Sequence, residues 1–304
     1  MSKIEKFQGV IPAFYACYDD AGNISPERVR ALARHLLQKN VKGLYVGGSS
    51  GECIYQSVCE RKAVLENVMA EVGGKLTIIA HVACNNTADS QELAKHAESL
   101  GVDAIAAIPP IYFHLPTYGI AQYWNDISAA APNTDFIIYN IPQLAGVALT
   151  SSLLAEMQKN PRVIGVKNSS VSTQDIQMWK DQGGEDFVVM NGPDEQFISG
   201  LAMGATGGIG GTYAVMPELF IKARELFCAG NPTGAFAIQN DICRIIYKMC
   251  AAHGNMYDVV KAILRKHGVD CGGIRKPLPS MNQEDTAIVE AANAMIEAAI
   301  SKYC

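Results

Sequence analysis

Eight short apolar runs alternating with amphipathic helical stripes predict an α/β protein, a (β/α)8 TIM barrel with an additional C-terminal helical unit. Three observations carry this reading. The runs are nearly continuous in apolar residues, as parallel strands covered on both faces are. Helix-start signals stand between consecutive runs. Beyond Gly211 the chain is wholly helical and exceeds the single helix that a barrel needs for closure.

In order, the predicted strands are Val10–Tyr15, Gly43–Val46, Thr77–Val82, Ala104–Ile108, Phe136–Tyr139, Val163–Lys167, Phe187–Met190 and Gly207–Ile209. After the first, Ser25-Pro26 is an N-cap with proline at the first helical position, and Val29, Leu32, Ala33, Leu36 and Leu37 recur at helical spacing. Ser57-Val58-Cys59-Glu60 is a capping box ahead of Ala63, Val64, Val68 and Val72. Leu93, Ala94, Ala97 and Leu100 form the next stripe, followed by Ile120, Tyr123, Trp124 and Ile127. In the tail, Gly230-Asn231-Pro232 separates two helical stretches, with further ones near Tyr257–Lys266 and Glu284–Ser301. The expected division is a catalytic barrel over 1–229 and a helical extension over 230–304. An open doubly wound sheet is the rival architecture, because periodicity does not report closure. No Gly-x-Gly-x-x-Gly follows the first strand, which weakens its dinucleotide-binding version.

Composition narrows the function classes. The 304 residues are 49% hydrophobic and 18% charged with a net charge of −5, and Lys and Arg are dispersed. That argues against a nucleic-acid footprint or a membrane-binding basic patch. Met1–Lys6 mixes charges and lacks a signal peptide's apolar core, and no stretch approaches the roughly 18 apolar residues of a membrane span. Nine cysteines without a Cys-x-x-Cys pair fit reduced thiols, so a cytoplasmic setting is expected. Six scattered histidines offer no metal-ligand spacing, and no metal or cofactor is expected. His81, alone among them in a strand, reads as a satisfied core or rim side chain.

Barrel enzymes place chemistry where strands end. Lys167 closes Val163–Val166, and lysines are almost never buried without a reason. Desolvation lowers a lysine's pKa from roughly 10.4 and releases the neutral amine that attacks ketones. Tyr139 ends the preceding strand and offers a phenol, so the pair suggests Schiff-base chemistry. Singly, Lys167 could snorkel to water and Tyr139 could be a core aromatic. Gly47-Gly48-Ser49-Ser50-Gly51-Glu52 is either a tight glycine turn or an anion-binding nest. Asp194 and Glu195 suit an acid/base pair, a metal site, acceptors for a polyol, or charge at a helix start.

These motifs, with Tyr139-Asn140-Ile141-Pro142, Gly165-Val166-Lys167 and Gly207-Gly208-Ile209-Gly210, resemble the pyruvate-dependent class I aldolases, the family of N-acetylneuraminate lyase and dihydrodipicolinate synthase. Leu144 stands where the synthases typically carry a carboxylate-holding arginine, and is similar to the lyase branch. Gly43–Gly48 and Asn191–Glu195 also look like lyase versions. Ser169 replaces a common threonine, and Gly211 a serine that contacts the polyol tail in many lyases. The resemblance implies reversible cleavage of N-acetylneuraminate to N-acetylmannosamine and pyruvate, with Lys167 as nucleophile and Tyr139 as proton shuttle. Ser49 and Ser50 would take the carboxylate, and Ser169, Gly192, Asp194 and Glu195 the sugar hydroxyls, with Gly210 and Gly211 contributing backbone. It also implies a homotetramer in which Tyr112 enters a neighbour's site. Rivals are another pyruvate aldolase, acting on a keto-deoxy sugar acid or on aspartate semialdehyde, and a non-catalytic sugar-acid-binding barrel. The glycines at 207–211 alone would also suit a phosphate-binding isomerase.

Overall fold

A computed structural model describes residues 4–304; Met1 to Lys3, half of the mixed-charge N-terminal stretch, lie outside the described residues. The eight strands are β1 Gly9–Pro12, β2 Gly43–Val46, β3 Thr77–His81, β4 Ala104–Ala107, β5 Asp135–Asn140, β6 Val163–Asn168, β7 Val188–Asn191 and β8 Gly207–Gly210. All pair in parallel, each beside its sequence neighbour, and β8 returns to β1. Closure between β1 and β2 rests on a bridge from Ala13 to Tyr45, with the Phe14 N–H donating to the Tyr45 carbonyl at 2.9 Å. The barrel reading therefore holds and the open-sheet rival fails at this bridge.

The helices are α1 Pro26–Gln38, α2 Val58–Val72, α3 Thr87–Ser99, α4 Thr117–Ala130, α5 Pro142–Ala145, α6 Ser151–Met157, α7 Thr173–Gly183, α8 Phe197–Ala202, α9 Pro217–Cys228, α10 Pro232–Cys250, α11 Met256–Lys266 and α12 Asp285–Tyr303. Ser25 caps α1 by accepting from the Arg28 N–H, and Ser57 and Glu60 form the reciprocal box at α2. Asn231 caps α10 just after the glycine turn.

Strand side chains alternate between two cores. Ile11, Tyr45, Ile79, Ala106, Ile137, Val188, Met190 and Ile209 fill the barrel, and Phe7, from a turn ahead of β1, plugs its lower end. Phe136, Ile138, Val166 and Val189 face outward onto the helices. The upper end of the barrel thus stays open for polar residues. Among the described residues no helix is long and apolar enough to cross a membrane, and the nine cysteines are all free.

Candidate active site

Lys167 and Tyr139 sit side by side, paired in register on β6 and β5 near the open end of the barrel. Both are buried, with 4% of the lysine exposed. The Lys167 Nζ lies 3.9 Å from the centroid of the Tyr139 ring and 4.2 Å from that of Tyr45. The lysine therefore does not snorkel to water; it ends between two aromatic faces. Tyr45 and Tyr139 meet edge to face at 5.6 Å, which fixes this slot. The Tyr139 hydroxyl lies 3.5 Å from the Ser49 Oγ, linking the phenol to the glycine loop.

That loop is a tight turn. The Gly51 and Cys53 N–H groups donate to the Gly48 carbonyl and the Glu52 N–H to that of Ser49. Among the described residues the N–H groups of Ser49 and Ser50 have no acceptor, so the turn presents two donors and two hydroxyls, which suits an anion. His81 holds the start of the turn: its Nδ1 donates to the Gly47 carbonyl at 2.8 Å while its Nε2 accepts from the Ile108 N–H. Burial, together with the nearby Arg61 charge, pushes His81 well below its ordinary range, so it stays neutral. It is the satisfied rim histidine expected from sequence.

Ser49, Ser50, Ser169, Gly192, Asp194, Glu195 and Gly211 converge with Lys167 and Tyr139 on one cavity of about 370 Å³. Gly210 stands behind it, where a Cβ would meet the Asp194 Oδ1 and the Tyr213 ring at 2.0 and 2.4 Å, so only glycine fits. Asp194 and Glu195 open the single helical turn Asp194–Gln196 ahead of α8, as charges at a helix start do, and Asp194 has fixed partners besides. Its Oδ2 accepts from both the backbone N–H and the hydroxyl of Thr212, at 2.7 and 2.5 Å. Burial outweighs these bonds and raises the Asp194 carboxyl to about 7. Glu195 lines the cavity beside it, and Asp194 reaches the cavity with one carboxylate oxygen already committed.

Buried asparagines hold the rim in place. Asn140 Nδ2 donates to Asn168 Oδ1 at 3.0 Å and Asn191 Nδ2 to the Pro193 carbonyl at 2.7 Å. These bonds satisfy polar groups where the strands part and the loops begin. Tyr112, unlike the other predicted site residues, lies on the flank of the barrel and belongs to a different cavity. It is 86% exposed, at φ 82°, and stacks on Phe113 edge to face at 4.9 Å. It lines a larger flank cavity of about 850 Å³ that contains neither Lys167 nor Tyr139. Among the described residues no three His, Cys, Asp or Glu side chains converge to hold a metal.

Several residues that line the cavity or pack under Lys167 carry no sequence signal. Tyr45 is hidden in a strand that reads as uniformly apolar. Thr212 follows the glycines that drew attention to strand eight. Ile246, Met256 and Tyr257 reach the cavity from α10 and α11, where helical periodicity alone would assign them to a core. Burial raises Tyr257 above the ordinary tyrosine range. Only proximity in the fold reveals these three.

Residues 6–296 match the family model described as the dihydrodipicolinate synthetase family. The chain is 65% identical over its full length to an N-acetylneuraminate lyase of Mediterraneibacter gnavus, covering 96% of that protein. It superposes on a catalytic lysine mutant of Ruminococcus gnavus sialic acid aldolase with a TM-score of 0.99 at 64% identity, each chain covered completely. A Clostridium difficile protein, CdNal, solved in complex with mannosamine, gives a TM-score of 0.88 at 28% identity, with 98% of this chain and 99% of that one covered. The chain belongs to the dihydrodipicolinate synthetase family.

Proposed function

We propose that this protein reversibly cleaves N-acetylneuraminate to N-acetylmannosamine and pyruvate through an imine on Lys167. The observation that carries the reading is the buried Lys167 amine above the Tyr139 ring, in a cavity that combines an anion-suited turn with polar acceptors. Full-length similarity to a lyase of that name supports the substrate.

The Lys167 Nζ attacks the ketone carbon of the open-chain sugar acid, and loss of water leaves a cationic imine. The imine draws electrons from the carbon–carbon bond one carbon removed, which breaks to give an enamine. Tyr139 gives its phenol proton to the hydroxyl that leaves as water, and the resulting phenolate takes the hydroxyl proton of the departing half, assisted by the substrate carboxylate, as that half becomes an aldehyde. Protonation of the enamine carbon and hydrolysis release pyruvate and restore the amine. The imine is itself the electron sink, so no cofactor is assigned a role. Ser49 and Ser50 hold the substrate carboxylate, and Ser169, Gly192, Asp194 and Glu195 receive the hydroxyls, with Gly210 and Gly211 supplying backbone.

Assembly follows the same reading. Tyr112 enters a neighbour's site in a homotetramer built as a dimer of dimers; the exposed Tyr112, Phe113, Leu115 and Tyr118 support an apolar contact there. Residues 1–229 form the catalytic barrel and 230–304 the helical extension, and the protein works in the cytoplasm. The test is a direct comparison of substrates. Pyruvate release from N-acetylneuraminate is expected, and condensation of pyruvate with aspartate semialdehyde is not. The opposite preference would assign the chain to the synthase branch.

A further inference from the structure

The loop carrying Ser49 and Ser50 is anchored at its far end by the C-terminal part of the chain. Glu52 ends the turn at φ 52°, a left-handed conformation that disfavours a side chain and persists only where its surroundings impose it. Both oxygens of its carboxylate are engaged. Oε1 receives the Lys261 Nζ at 2.7 Å, and Oε2 the Arg275 N–H at 2.8 Å. Neither side chain of the ion pair has any exposed surface. The Lys261 Nζ also donates to the Gly273 carbonyl at 2.6 Å. Its helix, α11, is the one that brings Met256 and Tyr257 to the cavity wall.

A buried ion pair is a poor source of stability, since apolar residues of equal volume do as well or better. Two other effects are specific to this place. The pair holds Glu52, and with it the turn bonds from the Gly51 and Glu52 N–H groups, of 3.0 and 2.9 Å, that shape the loop around Ser49 and Ser50. It also cancels a carboxylate that would otherwise stand close to an incoming α-keto acid and repel it.

We infer that Lys261 is a positioning residue of the catalytic centre: through Glu52 it sets the geometry and charge of the loop that takes the substrate carboxylate. This rests on the aldolase reading for the identity of that carboxylate. It makes the C-terminal helices part of the active-site machinery and not only an outer layer.

The experiment compares Lys261→Met with the unchanged protein, each checked for folding by circular dichroism. Borohydride trapping of pyruvate on Lys167 is followed across a pyruvate titration, and steady-state cleavage of N-acetylneuraminate is measured alongside. Half-saturation for trapping and KM for cleavage are both expected to rise about tenfold or more, with kcat falling less and trapping still complete at saturation. A purely structural pair would reduce the yield of folded protein and leave the KM of the folded fraction unmoved. Folded Lys261→Met with both constants within about twofold of the unchanged protein overturns the inference. If that variant does not fold, Glu52→Gln combined with Lys261→Met leaves no buried charge and carries the same expectation and the same refutation. Failure of the aldolase reading looks different, because the unchanged protein would then yield no pyruvyl adduct at any concentration.

Discussion

Lys167 and Lys261 are both buried, with 4% and 0% of their surface exposed, yet their surroundings differ in kind. Lys261 meets a carboxylate and a carbonyl, so its charge is matched by neighbours of fixed position. Lys167 meets the faces of two tyrosines, and among the described residues no carboxylate lies within ion-pair distance of it. A buried amine with a full set of partners is committed to the fold. One without them is left available for covalent chemistry, at a cost that the rest of the barrel absorbs.

Single substitutions should separate the two lysines sharply. Lys167→Ala is expected to abolish turnover, by about 10⁴-fold or more, while thermal unfolding stays close to that of the unchanged protein. Lys261→Ala should instead cost about 3–5 kcal/mol of stability, since it strands a buried carboxylate. A Lys167→Ala protein that fails to fold, or a Lys261→Ala protein of undiminished stability in denaturant titration, would erase the contrast.

Tyr139→Phe probes the phenol beside Lys167. Loss of the hydroxyl should slow cleavage by about 10²–10⁴-fold while imine formation, read by trapping, falls much less. Equal loss in both assays would contradict the shuttle role.

Asp194 tests how a carboxyl behaves when burial outweighs its hydrogen bonds and the nearby Lys167 charge. Its unfolded value is roughly 3.9 and burial raises it to about 7 in the fold. A raised carboxyl contributes stability that is present below pH ~4 and is lost as pH rises through about 7. Relative to Asp194→Asn, the unchanged protein should therefore lose stability between pH 5 and pH 8 in denaturant titrations. A pH-independent difference would show that the carboxyl is not shifted. The same substitution should weaken the sugar acid more than pyruvate, by about tenfold.

The smallest effect is expected at Gly211. A Cβ there would stand 3.2 Å from the Ser50 Oγ and 3.3 Å from the Tyr15 hydroxyl, both tight but movable. Gly211→Ser should fold and shift KM for the sugar acid by only about two- to fivefold. A change above about 10²-fold would mean that the glycine itself defines the subsite.

Much of this was legible in the chain, for local reasons. Val163–Val166 and Ile137–Ile138 announce buried strands, and Ser25-Pro26 and Ser57–Glu60 announce helix starts, because each signal lies within a few residues. The Lys167–Tyr139 pairing followed from reading only strand ends. Closure through Ala13 and Tyr45 was not legible, since one bridge leaves no periodic trace. The short α5 that begins at Pro142 and the Phe7 plug were missed for the same reason. The Glu52–Lys261 pair joins residues 209 positions apart, and in sequence Lys261 is one more lysine on an amphipathic helix. Tyr257 is equally silent, because a tyrosine at helical spacing reads as core until the helix is placed over the barrel.

The most direct test is peptide mapping after borohydride reduction in the presence of pyruvate. One carboxyethylated lysine, Lys167, is expected, with Lys261 unmodified. An active protein that carries the adduct on another lysine, or carries none, would contradict this expectation.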